Sequence, residues 1–299
     1  LSGHGSAPLL ATLPGRLREW ADAAVAASGS IAAHDLMAEP EVVANDEARG
    51  AILLDEPATA IADMMELGLG AIDAAGRIAG VLSLVSEWPR AARSRLVLRG
   101  AEDTPASLCQ RIGEVLPLQV RAMAAPDLPA LGRLPGGLAT LLAKDFIAPL
   151  YSHAASGVQA VLTWPRSSFR LGTPPQETAP ERVELVGPAR SVVFGPYLAL
   201  PTGWWEAELR LYFSEEACRR TFTVDMIAED LIGTMRLKPT SAGTFRARML
   251  FHNPRANWPL ALRIVLENGA IDGRIGLEAV TLRHARSEHE GRVRGALLP

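Results

Sequence analysis

Trp205-Glu206-Ala207-Glu208-Leu209-Arg210-Leu211-Tyr212-Phe213 decides the reading of the last third of this chain. Its odd positions are apolar, and the even ones are Glu206, Glu208, Arg210 and Tyr212. Successive side chains on a strand point to opposite faces, so this pattern predicts an antiparallel strand with one buried and one solvated face. Residues 244–252 repeat it, with Phe245, Ala247, Met249 and Phe251 inward and Arg246, Arg248 and His252 outward. In 259–268, Leu260, Leu262, Ile264 and Leu266 are the inward set, with Arg263 and Glu267 outside. Runs 192–200, 220–226 and 274–282 add further strands, and Asn268-Gly269 and Asp272-Gly273 are turn dipeptides that permit positive φ. About six to eight strands in roughly 100 residues imply a two-sheet sandwich, here over 182–285.

Working outward from that sandwich, the first half reads differently. It is rich in Ala, Leu and Gly with helical periodicity. Residues 16–27 place Leu17, Trp20, Ala21, Ala24 and Val25 on one helical face. A second helix spans 57–67, opened by Pro57 at a first-turn position, and a third spans 71–85. Strand candidates at 51–54, 95–98, 119–123 and 158–163 alternate with these helices. The unit 95–123 is strand, then Thr104-Pro105 as cap and first turn, then helix 106–115, then strand after Pro117. The default join for such strands is a right-handed parallel crossover. The expected fold class is therefore α+β with two domains: a helix-rich α/β domain at 1–164, then an antiparallel jelly-roll β-sandwich at 182–285. Pro174, Pro175 and Pro180 make 165–181 a Pro-rich linker, and 286–299 is expected to be a disordered tail.

Composition excludes several classes. The chain has 299 residues and a formal charge of −3, which offers no general attraction to nucleic acid or an anionic membrane. No apolar run reaches the roughly 18 residues of a membrane span. Cys109 and Cys218 fall in different predicted domains, so free thiols and a reducing, cytoplasmic setting are expected. The opening Leu1-Ser2-Gly3-His4-Gly5-Ser6 lacks an initiator Met and a signal-peptide core, and reads as a boundary, a cleavage scar or a fragment.

The run Phe194-Gly195-Pro196-Tyr197-Leu198-Ala199-Leu200-Pro201-Thr202-Gly203-Trp204-Trp205-Glu206 resembles the entry of galactose-binding-like jelly rolls, and 276–282 resembles their closing strand. Trp204 stands where those modules carry a Tyr or a small residue. The resemblance covers about a third of the chain. It implies a sugar-binding sandwich of the kind that accompanies bacterial carbohydrate-active proteins and glycan-assembly glycosyltransferases.

A sugar offers an apolar face and a rim of hydroxyls, so a binding sandwich needs aromatic platforms beside forked donors. Tyr197, Trp204, Tyr212 and Trp258 are the candidate platforms, and Arg210, Arg246, Arg248 and Arg263 the donors. The alternative is a core Trp205 and arginines paired with Glu206, Glu208 and Glu267. For the α/β part, Arg99, Glu102 and Asp103 lie just past a strand end, where open parallel sheets bind ligands. Gly136 and Gly137 precede an apolar helix from 138 to 146 whose free amides could face a phosphate. Against an anion site there stands an ordinary loop, with Asp103 or Thr104 capping the next helix. The six His residues show no metal-ligand spacing, there is no Gly-x-Ser-x-Gly elbow, and no catalytic residue, metal or cofactor is expected. The leading expectation is a noncatalytic carbohydrate-binding protein tied to bacterial surface-glycan assembly or modification, its N-terminal domain docking a partner protein. A glycosyltransferase, or a fragment of one, binding a nucleotide-sugar in the α/β domain is the alternative. A structural protein–protein interaction module is the third.

Overall fold

The computed structural model describes residues 9–12, 14, 16–28, 32–35, 50–87, 96–100, 102–115, 127–133, 136–175 and 177–285. The chain mixes helices with one parallel and two antiparallel sheets. Its first part runs β1 (Leu9–Thr12), α1 (Arg16–Ser28), β2 (Ala32–Asp35), β3 (Gly50–Asp55), α2 (Pro57–Glu66), α3 (Ala71–Ser86), β4 (Leu96–Arg99) and α4 (Pro105–Val115). The four strands form a parallel sheet in the order β2-β1-β3-β4. Strand β3 shows why: Ala51, Ile52, Leu53 and Leu54 are all buried, as a parallel strand covered on both faces requires. Ala51 and Leu53 pack with Leu17 and Trp20 of α1 and Leu108, Cys109 and Ile112 of α4. Ile52 and Leu54 face the opposite way, into the core shared with α2 and α3.

A long helix follows. It starts as α5 (Leu138–Leu142), passes through one π-helical turn (Ala143–Ile147) and continues as α6 (Ala148–Ser156). Gly157, at φ 70°, ends it in the left-handed conformation that glycine adopts most readily.

The remaining strands are β5 (Val161–Pro165), β6 (Arg170–Leu171), β7 (Val183–Glu184), β8 (Arg190–Ala199), β9 (Gly203–Phe213), β10 (Phe222–Ile227), β11 (Leu231–Leu237), β12 (Gly243–Asn253), β13 (Pro259–Leu266) and β14 (Arg274–Ala285). One antiparallel sheet has the order β11-β10-β13-β8-β6; the other runs β12-β9-β14-β5, with β7 also on β14. Phe213 of β9 and Phe222 of β10 meet with ring centroids 5.2 Å apart, so the sheets pack face to face. The inward set expected for β9 is borne out: Trp205, Ala207, Leu209, Leu211 and Phe213 are fully buried.

Three sequence expectations need correction or qualification. The strand expected at 158–163 is β5 at Val161–Pro165, and it belongs to the sandwich: it pairs antiparallel with β14 from Val161↔Arg283 to Pro165↔Ala279. Its neighbour in sequence is a helix, but its hydrogen-bonding partner lies more than a hundred residues away. The stretch 165–181, read as a linker, is built into the same sheets. Arg170 and Leu171 pair with β8, and Phe169 and Ala179 are buried beneath them. Phe169 explains this: it supplies an apolar anchor that the prolines around it conceal. The strand expected at 119–123 and the tail 286–299 lie outside the described residues.

One buried cluster runs without a break from Ile52 and Leu54, through α2, α3, α5 and α6, to Trp164, Trp205 and Leu282. The far end of α3 is also tied polar-fashion to the sandwich. The Thr202 backbone N–H and Oγ donate to the Glu87 carboxylate at 2.9 and 2.6 Å.

Candidate functional site

The chain reverses its local geometry inside β8. Gly195 sits at φ 124° and Tyr197 at φ 67°, the latter a left-handed conformation uncommon for a residue with a side chain. The pairing explains the geometry: Leu260 faces Leu198 and Ala261 faces Pro196, so Tyr197 has no partner and forms a bulge. A bulge re-aims its side chain, and Tyr197 is 53% exposed although its neighbours are buried. Phe194 meets it edge-on at 6.2 Å. Strain of this kind costs on the order of 1–3 kcal/mol and persists where the surroundings over-determine it.

Opposite this bulge lies the amino-terminal half of α3. The two are in close contact at Gly76, where an added Cβ would lie at ordinary contact distance, 3.6 Å from the Tyr197 carbonyl oxygen and 3.7 Å from Leu198. Between helix and sheet is an open cleft of about 750 Å³. Tyr197 and Phe194 line it with Asp73 and Arg77 of α3, Arg170 of β6 and Asn257 of the β12–β13 turn. Apolar walls come from Leu69, Ile72, Pro196 and Pro259. A cleft of this size with a few polar groups on an apolar lining has the anatomy of a small-molecule site.

Among the eight carbohydrate candidates of the sequence, Tyr197 alone lines this cleft. Trp204, Arg210, Tyr212, Arg246 and Arg248 share the outer face of the paired strands β9 and β12. There, Arg248 pairs with Glu208 at 2.8 Å and Arg210 with Glu278 at 2.8 Å. Trp204 packs edge-on against His252 at 5.1 Å, and the Arg182 guanidinium covers the Tyr212 ring at 3.9 Å. Arg246 lies directly opposite Arg210. Arg255 lies over the Trp258 ring at 4.4 Å. Arg263 is on the other sheet, paired with Asp225 at 2.8 Å. Tyr212 also borders a second, smaller recess of about 460 Å³ with Glu184, Glu216, Asp272 and Arg274.

In the parallel sheet, the crossovers from β1 and from β3 leave in opposite directions. The ligand crevice of such a sheet opens at the carboxyl ends of those two strands. Here its own side chains fill it. Arg99 and Asp55, both buried, pair at 3.3 Å, and Arg99 also donates to the Pro129 carbonyl. The Arg16 backbone N–H, at the start of α1, donates to Asp63 Oδ2 at 3.2 Å, and its guanidinium pairs with Glu66 and Asp63. Burial pushes the Asp55 carboxyl up to about 7 despite Arg99, and burial raises Asp63 as well. The space left among Pro14, Leu17, Leu53, Asp55, Ala60 and Asp63 is about 10 Å³, room for a single water.

Of the anion-site candidates, Arg99 is consumed in this cluster and Glu102 is exposed. Asp103 accepts from the Gly100 N–H at 2.7 Å, from Ser107 Oγ at 2.9 Å and from Arg111 at 2.7 Å. Burial opposes its ionisation, but these bonds prevail and hold its carboxyl below the usual range. Gly136 and Gly137 adopt positive φ with open space around them, just ahead of α5. Sequence reasoning missed Asp73, Arg77, Arg170 and Asn257. It also missed Asp55 and Asp63, although an Asp closing the apolar run 51–54 is a readable signal of a strand end.

Among the described residues no group of three or more His, Cys, Asp or Glu is placed to hold a metal ion, and no helix is long and apolar enough to cross a membrane. No family model matches the chain, and no curated protein matches it. Similar solved structures include the arabinose-bound MgGH51 α-L-arabinofuranosidase, at 9% identity and TM-score 0.26, over 42% of this chain and 21% of that one. They also include the CBM36-1 domain of a multidomain xylanase from the hindgut metagenome of Trinervitermes trinervoides, at 12% identity and TM-score 0.28, over 43% of this chain and all of that domain. A third is the GH115 4-O-methyl-α-glucuronidase BtGH115A, at 11% identity and TM-score 0.27, over 72% of this chain and 28% of that one. This chain thus spans about a fifth of the first and about a quarter of the third. Likenesses this distant carry no weight for function.

Proposed function

We propose that this chain is a noncatalytic carbohydrate-binding protein and that its site is the cleft between β8 and α3. The observation that carries the reading is Tyr197. A strained bulge holds an aromatic ring in solvent at the wall of a cleft of about 750 Å³, within a strand whose other residues are largely buried. A flat ring beside guanidinium, amide and carboxylate groups matches a pyranose, whose apolar face stacks while its hydroxyls take hydrogen bonds. Surface-glycan assembly or modification is the setting in which we expect such a protein to act. The nucleotide-sugar alternative needs an open crevice at the carboxyl ends of β1, β3 and β4, and that place is occupied by Asp55, Asp63, Arg16 and Arg99.

The test is a glycan array probed with the whole chain and with Tyr197→Asn. Asparagine tolerates the left-handed backbone, so the substitution removes the ring and keeps the bulge. Selective binding that weakens about tenfold in the variant, or about 1.4 kcal/mol, is the expected result. A folded wild-type chain that binds no glycan, or a variant that binds as well as wild type, would overturn the reading.

A further inference from the structure

We infer that the ligand of this cleft is an acidic saccharide, one bearing a carboxylate or sulfate. This rests on the carbohydrate reading of the same site. The charges of the lining come first. Arg77 and Arg170 line the cleft, and Asp73 is the one acidic side chain there among the described residues; Arg170 already has a partner, which leaves Arg77 as the cation open to a ligand. Elsewhere on the sandwich six strand arginines are neutralised. Arg210 pairs with Glu278, Arg236 with Glu267, Arg248 with Glu208, Arg263 with Asp225, Arg274 with Glu184 and Arg283 with Glu206.

Arg77 breaks that pattern. It is exposed and makes no ion pair among the described residues, although Asp73 stands four positions before it on the same helix. That is the favourable order and spacing for a helical ion pair. The Asp73 carboxylate is turned toward the helix start instead: its Oδ2 lies 3.3 Å from where a side chain on Gly70 would begin. There it sits at the positive end of the helix dipole. The Arg77 guanidinium is thus left to the cleft, with five donors in a planar fork that matches a carboxylate or sulfate. The apolar walls at Leu69, Ile72 and Pro259 lower the local dielectric and strengthen such a contact relative to open water. The division of labour follows. Tyr197 takes the face of the sugar ring, and Arg77 takes the charge at its rim.

The experiment uses the whole chain on an array printed with matched neutral, carboxylated and sulfated oligosaccharides. Calorimetry on the best acidic hit and its neutral counterpart follows, with wild type, Arg77→Gln and Tyr197→Asn. Preference for the acidic member by tenfold or more, with the acidic-over-neutral affinity ratio cut about tenfold by Arg77→Gln, is the expected outcome. The carboxylated and sulfated arms identify which anion is preferred. Neutral sugars bound as well as acidic ones, or acidic affinity unmoved by Arg77→Gln, would overturn this inference. Loss of binding in Tyr197→Asn would still support the carbohydrate reading. Acidic binding that depends on Arg77 and ignores Tyr197→Asn keeps the anion contact and sinks the stacking site. A folded chain silent on every arm overturns both.

Discussion

Removing the carboxylate of Asp55 should stabilise the protein at alkaline pH, against the usual expectation for a buried ion pair. Asp55 and Arg99 are both buried and stand 3.3 Å apart. Truncating one partner of such a pair ordinarily costs about 3–5 kcal/mol. Here burial is the larger influence, with Asp63 and Glu56 adding repulsion and Arg99 and Arg16 opposing it, and the carboxyl rises from 3.8 to about 7. A folded-state value above the unfolded one means stability is fully present below about pH 3.8 and lost as pH rises through 7. Between pH 5 and pH 8 the loss is about 2–3 kcal/mol, since each tenfold drop in proton concentration below the unfolded-state value and above the folded one costs about 1.4 kcal/mol. Asp55→Asn imitates the protonated form, so its stability should not show that decline. It should exceed wild type at pH 8 by up to about 4 kcal/mol. Urea unfolding of both proteins at pH 5, 6, 7 and 8, followed by far-UV circular dichroism, isolates the Asp55 contribution as the difference between the two curves. If the wild type is as stable at pH 8 as at pH 5, or the variant is the weaker of the two at pH 8, then the ion pair outweighs desolvation and the reasoning fails.

Two further predictions concern the sandwich. Phe169→Ala should lower stability by about 3–5 kcal/mol, as expected for a large buried aromatic; a change under about 0.5 kcal/mol in denaturant unfolding would return 165–181 to the status of a linker. Arg246→Glu should stabilise by about 0.2–1 kcal/mol, because it replaces a like-charge pair opposite Arg210 by an opposite-charge one. A lower melting temperature in that variant would count against direct cross-strand repulsion.

How much of this was legible depends on what each signal encodes. Alternation at 205–213 is a local record of one buried face, so β9 and its inward residues follow from sequence. The same holds for β12 and β13. Strands β1 and β2 have four residues each, and Ala32-Ala33-His34-Asp35 carries none of the β-branched or aromatic residues that mark strands. Partner choice is a different kind of information. The run around 161 announces a strand, yet nothing local says that it pairs with β14 rather than with the parallel sheet. The site shows the same division. Tyr197 stood out within a recognisable run, whereas Arg77, Arg170 and Asn257 come together only because α3, β6 and the β12–β13 turn converge on one bulge. Outward arginines on β9 and β12 were visible, but their carboxylate partners across the sheet decide whether they are available.

The placement of β5 bears on where this protein can be cut. A fragment starting at 182 would retain most strands of the sandwich, yet it would strip β5 from β14 and β6 from β8. Both remaining strands would then present unpaired backbone along an open edge, the arrangement that invites association between copies. Losing Trp164, Phe169 and α3 would also bare the apolar surfaces they cover, including the side of β8 on which α3 rests. A sandwich fragment that keeps its edges paired therefore needs its amino-terminal boundary upstream of Val161, and one that also keeps β8 covered must start upstream of Ala71.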